Sequence, residues 1–208
     1  NSKKRKKFEG NICIITGGAG KIGSAIAKKF INEKIEVILF DKNFNNLDQE
    51  LKNLCMCIKC DLSKKDEIIK SIEKVITEYG GIDILISNSG IAFQGLMKEL
   101  NDNILKTSMA NNFYSHHYMM QETVKIMSKQ NFGGSISLNL SKQSVNPGKN
   151  FGPYGIAKAS SLFMMKQYAL ECGKQNIRIN GVNADRIQSG LLTKKMIKDR
   201  AKARGLKE

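Results

Sequence analysis

The chain has 208 residues, of which 41% are hydrophobic, and a formal net charge of +15 at pH 7. This length and composition predict one globular domain, and no apolar run approaches the ~18 residues that a membrane span needs. The five cysteines have neither the spacing of a disulfide scaffold nor that of a zinc site, so we expect a reduced, cytoplasmic protein without a bound metal.

The positive charge invites a nucleic-acid-binding interpretation, but most of the 34 lysines and arginines are spread over the predicted helices. The densest basic block lies within residues 1–8. We interpret these residues as a basic linker, with a nucleic-acid arm or a targeting signal as the alternatives.

The first predicted strand, residues 11–16, leads directly into the glycine-rich segment TGGAGKIG and a helix opening at Ser24. This order is typical of a dinucleotide site, because glycines let backbone N–H groups approach a pyrophosphate at a helix N-terminus. The alternative is a plain tight turn. The candidate cofactor-binding residues of this segment are Gly17, Gly20, Lys21, Ile22 and Gly23.

A second strand, residues 36–40, ends at Asp41, which lies 18 positions after Gly23. An acid at this distance is placed to bind the adenosine ribose hydroxyls and to repel a 2′-phosphate. The sequence therefore favours NAD over NADP, although Lys42 follows immediately.

The later elements continue the alternation of strands and helices. Apolar periodicity predicts helices at residues 45–54, 65–79, 100–128 (possibly broken), 154–172 and 191–203, and strands at residues 56–60, 82–86, 135–140 and 177–182. This pattern predicts an α/β, Rossmann-like, doubly wound parallel sheet with helices on both faces. Residues 9–208 are thus expected to form a single dinucleotide-binding domain. His116 and His117, adjacent on one helix, are interpreted as packing or interface residues.

Tyr154 and Lys158 lie four residues apart at the start of a predicted helix, so both side chains project from one face. A free phenol titrates near ~10, and a neighbouring cation favours phenolate over phenol. The pair is therefore a candidate for proton transfer, although a tyrosine packed on a lysine stem is the plain alternative.

These motifs together resemble the short-chain dehydrogenase/reductase family. TGGAGKIG resembles its cofactor motif, and the segment SNSG resembles its Asn-Ala-Gly signature. The resemblance implies a catalytic set of Asn112, Ser141, Tyr154 and Lys158, and cofactor contacts from Asp61, Leu62, Asn88 and Gly90, with Tyr154 and Lys158 shared between the two roles. It also implies a homo-oligomer built on the long helices.

The chain departs from the family pattern in three places. Lys21 replaces the middle glycine, Asn183-Ala184-Asp185 replaces a Pro-Gly after the sixth strand, and the last strand of the family fold is expected to be missing before Glu208. Residues 141–160 and 182–197 also resemble the dehydrogenase half of bacterial fusions with rhamnulose-phosphate aldolase. That narrower resemblance implies an aldolase domain ahead of this one and a small hydroxyaldehyde, such as lactaldehyde, as substrate.

The candidate substrate residues are Gln143, Asn146 and Arg186, with Asn150 and Tyr118 as further possibilities. The expected activity is hydride transfer between NAD and a small hydroxyaldehyde, alcohol or sugar-derived carbonyl. Three alternatives stay open: a sugar epimerase or reductase on the same fold, a non-catalytic NAD-binding scaffold, and a nucleic-acid binder.

Overall fold

A computed structural model describes residues 11–185 together with residues 187, 197, 198, 201, 202 and 205. Within these residues six strands form one sheet: β1 (Ile12–Thr16), β2 (Glu36–Asp41), β3 (Met56–Lys59), β4 (Ile84–Ser87), β5 (Gly134–Asn139) and β6 (Ile177–Val182). All adjacent strands are parallel, and their order across the sheet is β3-β2-β1-β4-β5-β6.

The helices follow the strands in alternation. They are α1 (Lys21–Asn32), α2 (Gln49–Leu54), α3 (Lys65–Tyr79), α4 (Asp102–Met109), α5 (Ser115–Gln130) and α6 (Gly152–Cys172). A π-helical turn, Ala110–Tyr114, joins α4 to α5, and short 3₁₀ turns occur at Met97–Glu99, Lys142–Ser144 and Gly173–Gln175.

The central strand β1 shows why the sheet is buried on both sides. Its sequence ICIIT is apolar except for the final threonine, and all five residues are buried. Ile14 belongs to the apolar cluster on one face of the sheet, and Ile15 belongs to the cluster on the other face. Because both faces of this strand are covered, apolar and polar residues do not alternate along it.

Helices cover both faces of the sheet. On one face, Val75 of α3, Met119 of α5 and Met164 of α6 pack into the core. On the other face, Ala27 of α1 and Leu51 of α2 pack against the sheet. The predicted doubly wound α/β fold is confirmed.

The strand order creates a crevice at the carboxyl ends of β1 and β4. The chain first builds outward from β1 through β2 to β3, and then returns to place β4 on the other side of β1. The connections leaving β1 and β4 therefore diverge, which opens the crevice where such sheets bind ligands.

Several predicted boundaries were wrong by one to four residues, and three of them have a clear local reason. Helix α1 begins at Lys21 instead of Ser24, because the extended Gly20 caps it and its carbonyl accepts the Ser24 N–H. Helix α2 begins at Gln49, after Asp48, whose side chain accepts the Glu50 N–H. Strand β4 begins at Ile84, because the Gln130 side chain, and not a neighbouring strand, bonds the backbone of Ile82.

Several sequence predictions fall on residues outside the described part of the chain. These are the basic linker at residues 1–8, Arg186, and most of the helix predicted at 191–203, of which residues 197, 198, 201 and 202 are helical.

All five cysteines are described, and all are free thiols. Within the described residues, no helix combines the length and the apolarity that crossing a bilayer requires.

The turn before β5 offers a test of the backbone. Gly133 has φ +82°, and a Cβ atom on it would lie 2.1 Å from the Asn176 carbonyl oxygen. We expect Gly133→Ala to lower the free energy of unfolding by about 1–3 kcal/mol, because both the conformation and the contact exclude a side chain. Gly173→Ala is the control, since Gly173 is helical with nothing near its Cβ position. Urea unfolding measures both, and equal effects would contradict this account.

Candidate active site

The glycine-rich turn and the start of α1 form one wall of a cleft at the carboxyl ends of β1 and β4. The cleft has a volume of about 380 Å³. Eight of the predicted cofactor residues line it: Gly17, Gly20, Lys21, Ile22, Asp41, Leu62, Asn88 and Gly90. The other four predicted cofactor residues, Gly23, Asp61, Tyr154 and Lys158, are not part of this lining.

Gly23 holds the turn closed against α1. A Cβ atom on Gly23 would lie 2.2 Å from the Gly17 carbonyl oxygen, so no side chain fits there. The first turn of α1 contains no acidic residue. A tight backbone turn at the positive end of a 12-residue helix suits an anionic diphosphate, so these residues fit a dinucleotide.

A partly buried hydrogen-bond network ties the ends of three strands together at the cleft. The Thr16 hydroxyl accepts the backbone N–H groups of Asn88 and Ser89 at 2.9 and 3.1 Å. The Asn88 amide donates to the Thr16 carbonyl at 3.0 Å and accepts from the Asn139 amide at 2.9 Å. Asn88 therefore fixes β4 relative to both β1 and β5.

The two predicted acids occupy different positions. Asp41 lines the cleft, and its carboxylate accepts the Ala19 N–H at 3.0 Å. Asp61 instead caps the following turn through Ser63 and forms an ion pair with Lys42 at 3.2 Å. Although burial acts to raise the pKa of Asp61, the bonds from Ser63 and Lys42 hold that pKa below its usual value.

Ser141 and Tyr154 are brought together at the end of β5. Ser141 follows that strand directly, and its hydroxyl is within hydrogen-bonding reach of the Tyr154 phenol. Burial raises the pKa of Tyr154, whereas the hydrogen bond with Ser141 acts to lower it. Tyr154 enters α6 just after Pro153, which suits the first turn of a helix.

Lys158 is buried one helical turn after Tyr154, with 2% of its surface exposed. Its amine lies 5.9 Å from the centroid of the Tyr154 ring. The amine donates to the Asn139 carbonyl at 2.8 Å and lies 3.1 Å from Nε2 of His116. Burial lowers the pKa of Lys158 to about 7. Lys158 does not itself line the cleft, but it is close to Gly90, which does, since a Cβ on Gly90 would lie 3.5 Å from the amine.

Asn112 sits in the π-helical turn that joins α4 to α5, where the sequence predicted a possible break. Its amide oxygen accepts the Ile91 N–H at 2.9 Å, and its amide nitrogen donates to the Ile91 carbonyl at 2.9 Å. Its own carbonyl accepts the Ser161 hydroxyl at 2.8 Å. These bonds link the helix to the strand loop and to α6, and π turns are frequent at functional sites.

The predicted substrate residues are dispersed. The Gln143 side chain accepts the Gly148 N–H at 2.7 Å and so braces the loop before α6. Asn146 and Asn150 are exposed on that loop. Tyr118 stacks on Tyr114, away from the cleft, with the Lys65 amine 5.7 Å from its ring.

Sequence reasoning missed three contributors to the site. Thr16 and Asn139 hold the strand ends, and His116 contacts Lys158 directly, although it was assigned with His117 to packing or an interface. The position of His116, four residues after Asn112, is the signal that could have identified it. His117 does pack, against Phe113 and Tyr168.

The arrangement joins two functions. The cleft offers backbone groups and a helix N-terminus to an extended anionic ligand. Beside it, a hydroxyl, a phenol and an amine are held where a proton can be moved. Such a combination suits chemistry on a bound cofactor better than binding alone.

Comparison with known proteins agrees with this geometry. The short chain dehydrogenase family model matches residues 11–200. An uncharacterized oxidoreductase of Bacillus subtilis is 33% identical over 199 residues, which cover 88% of this chain and 28% of that protein. A 3-oxoacyl-[acyl-carrier-protein] reductase of Thermotoga maritima is 31% identical over 196 residues, which cover 90% of this chain and 78% of that protein.

A solved structure shares the fold. The 3-ketoacyl-(acyl-carrier-protein) reductase of Brucella melitensis, crystallised with NADH, superposes with a TM-score of 0.83 at 20% identity, covering 89% of this chain and 79% of that one. The family model spans nearly the whole chain, and both curated relatives are oxidoreductases by name. The chain therefore belongs to the short-chain dehydrogenase family.

Proposed function

We propose that this protein is an NAD-dependent oxidoreductase that acts on a small hydroxyaldehyde, alcohol or sugar-derived carbonyl compound. The observation that carries the proposal is the grouping of Ser141, Tyr154 and Lys158 beside the glycine-lined cleft. NAD, when bound, supplies the hydride acceptor or donor at its nicotinamide ring. The solved reductase with NADH supports this choice of cofactor class.

The residues of this chain divide the remaining work. The glycine turn and the N-terminus of α1 hold the diphosphate, and Asp41 binds the adenosine ribose. Tyr154 removes the hydroxyl proton during oxidation and returns it during reduction. Ser141 hydrogen-bonds the substrate oxygen on which charge develops. Lys158, when charged, favours the phenolate form of Tyr154, and Asn112 fixes the helix beside it.

The substrate class follows from the narrower resemblance to dehydrogenases fused to rhamnulose-phosphate aldolase. The matched part of the Bacillus relative is only 28% of its length, so a domain of this kind does occur within a longer protein. We extend the proposal to an aldolase partner domain and to lactaldehyde-like substrates.

We also propose a cytoplasmic location. All five cysteines are free, which suits a reducing, cytoplasmic setting.

A panel of aldoses, alcohols and hydroxyaldehydes, monitored by NADH absorbance, tests the activity. Net formation of NADH supports an oxidoreductase. No NADH formation, with one sugar converted into another, would establish the epimerase alternative. NAD binding without any conversion would establish the scaffold alternative.

Tyr154→Phe tests the proposed acid–base residue. We expect the turnover number to fall by about 10²–10⁴-fold, because positioned proton transfer contributes rate enhancement of this order. NAD affinity, measured by calorimetry, should change little. Tyr168→Phe is the matched control, since Tyr168 lies farther along the same helix and packs against His117. Substantial activity in Tyr154→Phe would remove Tyr154 from its assigned role.

Asp41→Asn tests the preference for NAD over NADP. The Lys42 charge is shared with Asp61, so Asp41 presents the negative charge that a 2′-phosphate meets in the cleft. We expect the ratio of kcat/KM for NAD to that for NADP to fall about tenfold or more, which corresponds to ~1.4 kcal/mol of repulsion. Asp48→Asn is the control, because it removes the same charge outside the cleft and should leave the ratio unchanged. An unchanged ratio in Asp41→Asn would contradict this assignment.

The homo-oligomer is proposed on one face of α6. Ile156, Phe163 and Leu170 recur at seven-residue intervals and are 42%, 71% and 79% exposed. A stripe of this kind on a long helix suits a second copy of the same helix. We expect Phe163→Asp to convert a dimer or tetramer into smaller species in sedimentation experiments. Leu54→Asp, at an exposed site on α2, should not, and a similar effect of both variants would count against this surface.

A further inference from the structure

A buried chain of three side chains runs from the sheet to the candidate catalytic lysine. Ser87 lies at the end of β4, His116 lies on α5 and Lys158 lies on α6. The Ser87 hydroxyl is 2.6 Å from Nδ1 of His116, and Nε2 of His116 is 3.1 Å from the Lys158 amine. His116 is fully buried, with 0% of its surface exposed.

The proton positions in this chain follow from the donors and acceptors available. While Lys158 is charged, its ammonium has only hydrogen-bond donors, so Nε2 of His116 accepts from it. The proton of a neutral imidazole then resides on Nδ1, which donates to the Ser87 hydroxyl oxygen. Burial, and after it the charge of Lys158, hold the pKa of His116 well below its usual range, so the ring stays neutral.

The other neighbours of Lys158 make this acceptor important. The Asn139 carbonyl of β5 is its second acceptor, and Tyr154 lies on its own helix. Gly90, in the loop after β4, approaches with its backbone. Among the described residues no aspartate or glutamate lies within 4.0 Å of the amine as an ion-pair partner. Two neutral acceptors therefore stabilise a charge that burial opposes.

We propose that His116 is a positioning residue for Lys158. Its neutral imidazole, held in the Nδ1–H tautomer by Ser87, accepts the hydrogen bond that keeps the amine charged and directed beside Tyr154. This inference rests on the proposed oxidoreductase function, because that function gives Lys158 and Tyr154 their task.

Loss of the His116 acceptor changes the pKa of Lys158 in a direction that can be stated in advance. A hydrogen bond to the charged form favours that form, so removal of the His116 acceptor lowers the pKa of Lys158 in the same direction as burial does. At neutral pH the amine is then uncharged and favours the Tyr154 phenolate less. The pKa of Tyr154 rises, and the acid limb of the rate of substrate oxidation moves to higher pH.

Substitution at His116 gives the kinetic test. His116→Phe keeps a ring but has no acceptor, and we expect the acid limb of kcat to move upward by about one pH unit, so that kcat falls about tenfold at pH 7. The substrate KM and NAD affinity should change little. His116→Gln, whose amide oxygen takes the place of Nε2, should restore most of the profile. His117→Phe is the matched control at the next position and should leave the profile unchanged.

The tautomer has a test that does not need activity. Long-range ¹H–¹⁵N NMR spectra distinguish Nδ1–H, Nε2–H and doubly protonated imidazoles, and His116→Gln and His117→Phe assign the signals. We expect His116 to be neutral with its proton on Nδ1 at pH 7. Ser87→Ala removes the partner of that proton, and should shift the tautomer toward Nε2–H and move the kinetic profile in the same direction as His116→Phe.

The outcomes separate this inference from the proposed function. A charged or Nε2–H His116 in the parent protein, or a tautomer that does not respond to Ser87→Ala, overturns the inference even if the enzyme is active. An unmoved pH profile in His116→Phe, or an equal shift in His117→Phe, overturns it as well. If no substrate is turned over, the proposed function fails and the NMR result still decides the arrangement. If His116→Phe does not fold, Ser87→Ala and the spectra retain the test.

Discussion

A lysine charge buried with no carboxylate partner among the described residues is the constraint on which the site depends. The Lys158 amine is surrounded by neutral hydrogen-bond partners from β5 and α5, and burial brings its pKa to about 7. A nearby acid would hold the amine charged at all physiological pH values, but would also oppose ionisation of the Tyr154 phenol. Neutral acceptors avoid that conflict, because they favour the cation without adding negative charge beside the phenol.

The sheet explains how such a grouping is assembled. Parallel strands end at one edge, so β4 and β5 deliver Ser87, Asn139 and Ser141 to the same side of the molecule. Helix α6 then crosses this edge with Tyr154 and Lys158 one turn apart. The glycine turn after β1 lies at the same edge, joined to β4 through Thr16 and Asn88. Ligand cleft and proton-transfer groups are neighbours because the topology ends its strands together.

The fold and much of the site could be predicted from the sequence, because both depend on local signals. The order of strand, glycine turn and helix located the cleft, and the family resemblance named Ser141 and Tyr154, whose hydroxyls the structure brings together. The roles of these residues remain predictions. Helix α3 was predicted to the residue, since its apolar period is strong and Gly80 ends it in a left-handed conformation.

Features that depend on long-range contacts could not be predicted in this way. The start of β4 is set by Gln130, 48 residues away in the chain. Asp61 stays a predicted cofactor contact, but nothing in the sequence indicated its ion pair with Lys42, 19 residues earlier at the end of β2. A sequence pattern cannot distinguish His116 from His117. Their environments differ only because α5 packs one of them, His116, against the sheet side of the site.

The π turn between α4 and α5 has a consequence for how this chain tolerates change. A π turn accommodates one residue more than an α-turn, and each residue advances a helix by about 100°. Deleting Phe113 or Tyr114 would restore regular helical bonding, yet it would rotate Asn112 against His116 by about 100°. Asn112 and His116 could then no longer face Ile91 and Lys158 together. The angular phase of this helix is therefore set by the irregularity, and a more regular helix would not hold both contacts.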